Sequence, residues 1–235
     1  NRVGSQASDS AVVQISSGRS RREFFHNLSL LGLRQHDVVD LHPAVDGRPR
    51  QRQLARRGAQ AATLRDVHER GDFLETFSLK QFEIHVPSVE FVQDNQSRSH
   101  KNVLRGLHFQ KPPFEQGKLV RISKGAVLDI VVDIRPDSPT RFKNIKVELD
   151  DQSCKMLWIP PGFAHGFITL MEGTVFNYKC TNYYNKSSES GIRWNDPNLN
   201  IDWTVSNPIV SNKDSELPLL TELFDLEQQN QSFNN

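Results

Sequence analysis

From Lys80 onward the chain breaks into short β-rich runs, several of them alternating apolar and polar residues, bounded by turn residues such as glycine, proline, aspartate and asparagine. The runs VRISKG at 120–125, AVLDIVVDIR at 126–135, FKNIKVEL at 142–149, KMLWIP at 155–160, FAHGFITL at 163–170 and TVFNYKC at 174–180 each predict a strand. In the second run Leu128, Ile130, Val132 and Ile134 share one face, and Asp129, Val131, Asp133 and Arg135 share the other. One side is therefore core and the other semi-polar. Short strands at regular spacing predict a mainly β protein, a sandwich or jelly roll. Near the C-terminus the period changes: Ser211 precedes Asp214 by three, and Leu217, Leu219, Leu220 and Leu223 follow, which predicts a short helix within 211–229.

The first part of the chain has another character. Residues 1–79 contain no lysine and use arginine instead, in clusters at Arg19, Arg21 and Arg22 and again at Arg48, Arg50, Arg52, Arg56 and Arg57. Residues 1–66 sustain neither alternation nor an amphipathic period, apart from a short helix predicted over 21–34, so they are read as an unassigned Arg-rich segment and 67–235 as the domain. The run SRREFF at 20–25 has the basic start of a twin-arginine signal, but His26 and Asn27 interrupt the apolar core and no small-residue cleavage site follows. A surface helix with basic ends is the plainer reading.

Composition narrows the function classes. A formal net charge of +1 with no later block of like charge gives no reason to expect nucleic acid as a partner. Cys154 and Cys180 lack CxxC spacing and suit reduced thiols, hence a cytoplasmic protein. No apolar run approaches the roughly eighteen residues that span a bilayer, so no membrane is expected. Glycine-rich phosphate loops, GxSxG elbows and metalloprotease helices are absent from the sequence.

The segment VLRGLHFQ at 103–110, followed by GKLVR at 117–121, sets one histidine between an arginine and a lysine. An imidazole titrates nearest neutrality, so flanking it with fixed cations suits proton removal from an anionic carbon acid. Arg105 and His108 lie three apart and would face opposite sides of a regular strand; a shared site requires a bulge or kink, which Gly106 permits.

Together with FVQDN at 91–95, WIPPGFAHGF at 158–167 and YKCTNYY at 178–184, these segments resemble the dTDP-4-dehydrorhamnose 3,5-epimerase family from about Val67 to the C-terminal helix. The resemblance implies a cupin-type jelly roll that works as a homodimer without a cofactor. Its activity would be epimerisation of a dTDP-4-dehydro-6-deoxy-sugar at C3 and C5. It also implies His108 as base, Lys118 as the cation at the enolate, Tyr178 as the acid on the opposite face, and Asp214 as the partner of His108. For binding it implies Arg70 and Arg105 at the diphosphate, with Phe73, Glu75, Gln93, Asp94, Asn95, His165, Glu189 and Lys213 around the nucleotide sugar. Of the family's D-x-RG-x-F-x-E motif, Arg70, Gly71, Phe73 and Glu75 survive, with Glu69 before them and His68 at the aspartate position, whereas the strands that precede it in the family do not.

Blander readings compete at each position. Asp214 with Ser211 makes a capping box, Lys118 fits a solvated strand edge, and Tyr178 shares a face with Phe176 and Cys180 like a core aromatic. His165 sits in the P-x-G-x-x-H pattern with which metal cupins supply one ligand, but the matching strand offers only His108. It is read as a polar contact to substrate, with no metal. The alternatives to a 3,5-epimerase are a single-carbon epimerase and a sugar-nucleotide-binding module without catalysis.

Overall fold

The computed structural model describes residues 13–14, 66–68 and 71–224. The helix predicted over 21–34, Arg70 and the end of the 211–229 segment fall outside them. Two sheets face each other. One has the order β1 (Val13–Gln14), β9 (Met156–Ile159), β6 (Lys118–Lys124), β11 (Thr174–Cys180), β4 (Gln93–Ser99). The other runs β12 (Glu189–Gly191), β5 (Val103–Gln110), β10 (Phe163–Thr169), β7 (Ala126–Asp133), β8 (Asn144–Asp150), and β13 (Ile209–Val210) adds in parallel to β5. The strands β2 (Asp66–His68) and β3 (Gly71–Phe73) pair separately. From β4 to β7 each strand crosses to the opposite sheet, and so does each from β8 to β11, while β7 and β8 form a hairpin. This is the jelly roll, and all six predicted runs are strands in it.

Three apolar layers hold the sheets. Between them Val120, Ile122, Val127, Val131, Leu157 and Phe176 form the inner core. Outside the second sheet Leu104, Leu107, Ile130, Ile168, Trp203 and Leu220 pack under the C-terminal segment. Outside the first sheet Phe82 of α1 (Leu79–Glu83) covers Leu119 and Trp158. Both faces of β7 are thus buried, and its semi-polar face is the inner one: Asp129 and Asp133 have almost no exposed surface. Asp133 is satisfied by Arg135, Ser138 and Thr140. Burial alone would raise its pKa, but those donors outweigh it and hold the carboxyl below the ordinary aspartate range.

The predicted C-terminal helix is split. A single turn, α2 (Asn212–Ser215), starts at Ser211, whose Oγ accepts the Asp214 N–H at 3.1 Å, and helix resumes at residue 220 after Pro218. Pro218 cannot continue a helical hydrogen-bond ladder, which accounts for the break.

The bulge that Gly106 permits is present. His165 pairs with His108 and Phe167 with Arg105, so two steps along β10 match three along β5. Leu104 and Leu107 therefore fall to the outer core while Arg105 and His108 both reach the inner cavity. Gly106 has φ +126°, and a Cβ there would lie 2.5 Å from Gly166 Cα; a Cβ on Gly166 would lie 2.8 Å from the Arg105 carbonyl oxygen. Both strands need a glycine where they touch. Gly106→Ala is expected to cost about 2–5 kcal/mol from backbone strain plus overpacking, read as a fall in Tm and a loss of His108-dependent activity. A variant with wild-type Tm and activity would contradict the role given to this bulge.

Candidate active site

A cavity of about 320 Å³ opens between the sheets, lined by Ser97, Arg105, His108, Lys118, His165, Gly166, Phe167, Phe176, Tyr178, Ser211, Lys213 and Asp214. Seven residues predicted for the site meet here. Arg105, His108 and His165 come from the second sheet, Lys118 and Tyr178 from the first, and Lys213 and Asp214 from α2.

His108 is half-buried, and its Nε2 lies 2.8 Å from Asp214 Oδ1. The second carboxylate oxygen accepts the Gly106 N–H at 3.3 Å. Burial pushes the Asp214 pKa up, but the bonds and charge from His108, the Gly106 N–H and the Lys213 charge prevail, and the group stays below the usual range. Asp214 is therefore ionised, which assigns the neutral imidazole's proton to Nε2 and leaves Nδ1 as the basic atom. Half of the capping box is present alongside the histidine partner: the Ser211 Oγ accepts the backbone N–H of Asp214, while the Asp214 carboxylate, instead of closing the box, accepts from His108 and Gly106.

Lys118 stands across the cavity, on the neighbouring strand to Tyr178, in cross-strand register with Cys180. Burial lowers its pKa, while Cys180, Asp129 and Glu189 work in the opposite direction. Burial and Cys180 raise the Tyr178 pKa against the pull of Arg105, so the phenol holds its proton at neutrality. It is not a closed core aromatic; its ring packs on Phe176 and it lines the cavity.

His165 is buried, with Nε2 at 3.0 and 2.9 Å from the two oxygens of Asp129. The sequence reading missed Asp129, because alternation put it on the semi-polar face of β7 and nothing local marked the partner on β10. Burial raises the Asp129 pKa, and the charges and hydrogen bond of His165, with Lys118, partly offset that.

The other predicted residues lie around or away from the cavity. At the mouth Glu189 accepts from Lys213 Nζ at 2.6 Å and from the Tyr184 hydroxyl at 2.8 Å. Gln93 donates to Asn95 and accepts the Tyr184 N–H, and Asn95 donates to Cys180 Sγ. Asp94, between them on β4, points to the outer face and pairs with Lys179 at 3.0 Å. Phe73 is 77% exposed and, like Glu75, does not line this cavity.

Known proteins resemble this chain in sequence and in fold. The sequence model of dTDP-4-dehydrorhamnose 3,5-epimerase matches residues 60–222. The curated enzyme of that name from Shigella flexneri is 53% identical over 147 residues, 62% of this chain and 81% of the relative. A crystal structure of the Bacillus anthracis enzyme with TDP and PPi bound is 44% identical, with TM-score 0.64, covering 65% of this chain and 88% of that one. The Legionella pneumophila enzyme in complex with dTDP-4-keto-L-rhamnose is 46% identical, with TM-score 0.64, covering 68% and 85%. Fold and sequence thus agree, and the chain belongs to the dTDP-4-dehydrorhamnose 3,5-epimerase family.

Proposed function

We propose that this chain epimerises dTDP-4-dehydro-6-deoxy-glucose at C3 and C5, giving dTDP-4-dehydro-L-rhamnose, with no cofactor. One observation carries the reading: His108 and Tyr178 stand on opposite sheets across one cavity. Inverting a carbon beside a ketone removes a proton from one face and returns one to the other. His108 Nδ1 takes the proton on carbon, and Asp214 stabilises the imidazolium that forms. Electron density moves to the C4 oxygen, where the half-buried Lys118 ammonium offsets the negative charge. Tyr178 then protonates the opposite face of the carbon. Its raised pKa keeps the phenol loaded, and solvent restores both groups before the second carbon reacts.

His165, held by Asp129, contacts the sugar. Arg105 and Lys213 supply donors for the diphosphate, for which a planar guanidinium fork is well shaped. Gln93, Asn95, Tyr184 and Glu189 continue from the cavity mouth as the nucleotide side. Arg70, Phe73 and Glu75 are proposed to bind nucleotide in the homodimer, since Phe73 and Glu75 stand away from this chain's own cavity. A cytoplasmic location fits Cys154 and Cys180, whose spacing suits reduced thiols, and no described helix is long and apolar enough to cross a membrane.

Proton NMR of the sugar in heavy water tests the activity. Signals at both C3 and C5 are expected to disappear with the wild type; exchange at one carbon alone would make it a single-site epimerase, and binding without exchange a non-catalytic module. His108→Asn is expected to lower kcat about 10²–10⁴-fold with little change in the affinity for dTDP. The pH profile has a definite sign. Lys118 must be charged and its pKa is lowered, so kcat/KM should fall on the alkaline side at a pH below the ordinary lysine value of about 10.4. An alkaline limb at or above that value would remove the enolate role from Lys118.

A further inference from the structure

The inner face of β4 carries Gln93, Asn95, Ser97 and Ser99 in alternation, opposite Cys180, Tyr178, Phe176 and Thr174 of β11. At its end the chain leaves the first sheet, turns through Lys101 and Asn102, and enters the second sheet as β5. Ser99 and Arg105 thus stand on the two walls at the corner where the sheets join. Ser99 is 4% exposed, and its Oγ accepts the Arg105 Nε–H at 3.2 Å across that corner. Ser97, one step along the same face, lines the cavity beside Arg105.

Arginine has five N–H donors on a long, rotatable stem. Fixing Nε fixes the plane of the guanidinium, and the Nη groups then stay at one orientation toward the cavity. We propose that Ser99 is a positioning residue for substrate binding, a buried hydroxyl that pre-orients Arg105 so that its Nη edge meets the diphosphate of the nucleotide sugar. This rests on the reading of Arg105 as a diphosphate ligand. A pre-oriented fork loses less rotamer freedom on binding, so the gain appears in affinity rather than in the chemical step.

The test is a double-mutant cycle on the full chain with Ser99→Ala, Arg105→Ala and both together. It measures KM and kcat for the nucleotide sugar, the Kd of dTDP by calorimetry, and Tm. Ser99→Ala removes one oxygen and introduces no clash. It is expected to raise KM and Kd about 5-fold, the worth of one hydrogen bond, and to leave kcat within about 2-fold. In the Arg105→Ala background it should change neither. A Ser99→Ala enzyme with wild-type KM and Kd overturns the proposal, and so does a loss that adds fully to that of Arg105→Ala. If Arg105→Ala itself leaves dTDP affinity unchanged, the fault lies in the diphosphate role of Arg105 and the Ser99 proposal falls with it; a normal Arg105 effect with no Ser99 effect refutes the positioning role alone.

Discussion

The contact between Gly106 and Gly166 is the constraint on which the site depends. Two backbones meet there too closely for any Cβ, and β5 gains one residue relative to β10. In a regular strand His108 and Arg105 would have opposite directions. The bulge gives them one direction and sends Leu104 and Leu107 to the outer core. Positive φ at Gly106 is tolerated because glycine has no side chain to clash. The same turn of backbone presents the Gly106 N–H to Asp214, so the strand irregularity also holds the carboxylate that orients His108.

Around that point the fold distributes charge in pairs. His108 with Asp214 and His165 with Asp129 are two histidine and carboxylate couples whose histidines sit opposite each other in the β5 and β10 register. Lys118 is a second, looser partner for Asp129, through charge alone. The buried carboxylates Asp129 and Asp214 each have a histidine counterpart, which lowers the cost of keeping them in an otherwise apolar interior. The proposed base and acid, His108 and Tyr178, lie on opposite sheets, so a ligand in the cleft between them is flanked rather than approached from one side.

Much of this was legible in the sequence. β-rich runs bounded by turn residues, several of them alternating, located the six strands from β6 to β11, and the need for a bulge or kink, which Gly106 permits, followed from the three-residue spacing of Arg105 and His108. Other features depended on contacts between strands distant in sequence. Asp129 meets His165 only because β7 and β10 are neighbours. Ser99 meets Arg105 only because the chain turns between the sheets there. Spacing suggested a cap at Asp214 and resemblance suggested a histidine partner; the structure allows both because one uses the backbone and the other the side chain. Asp94 lies between two inward residues in the QDN run, and strand alternation sends it to Lys179 on the outer face.

A crystal structure of this protein with the dTDP moiety and a sugar bound is the most direct test. The account places the sugar ring between His108 and Tyr178, its C4 oxygen toward Lys118, and the diphosphate on Arg105. A ligand seated outside the cleft, or one with both His108 and Tyr178 on the same face of the ring, would contradict it.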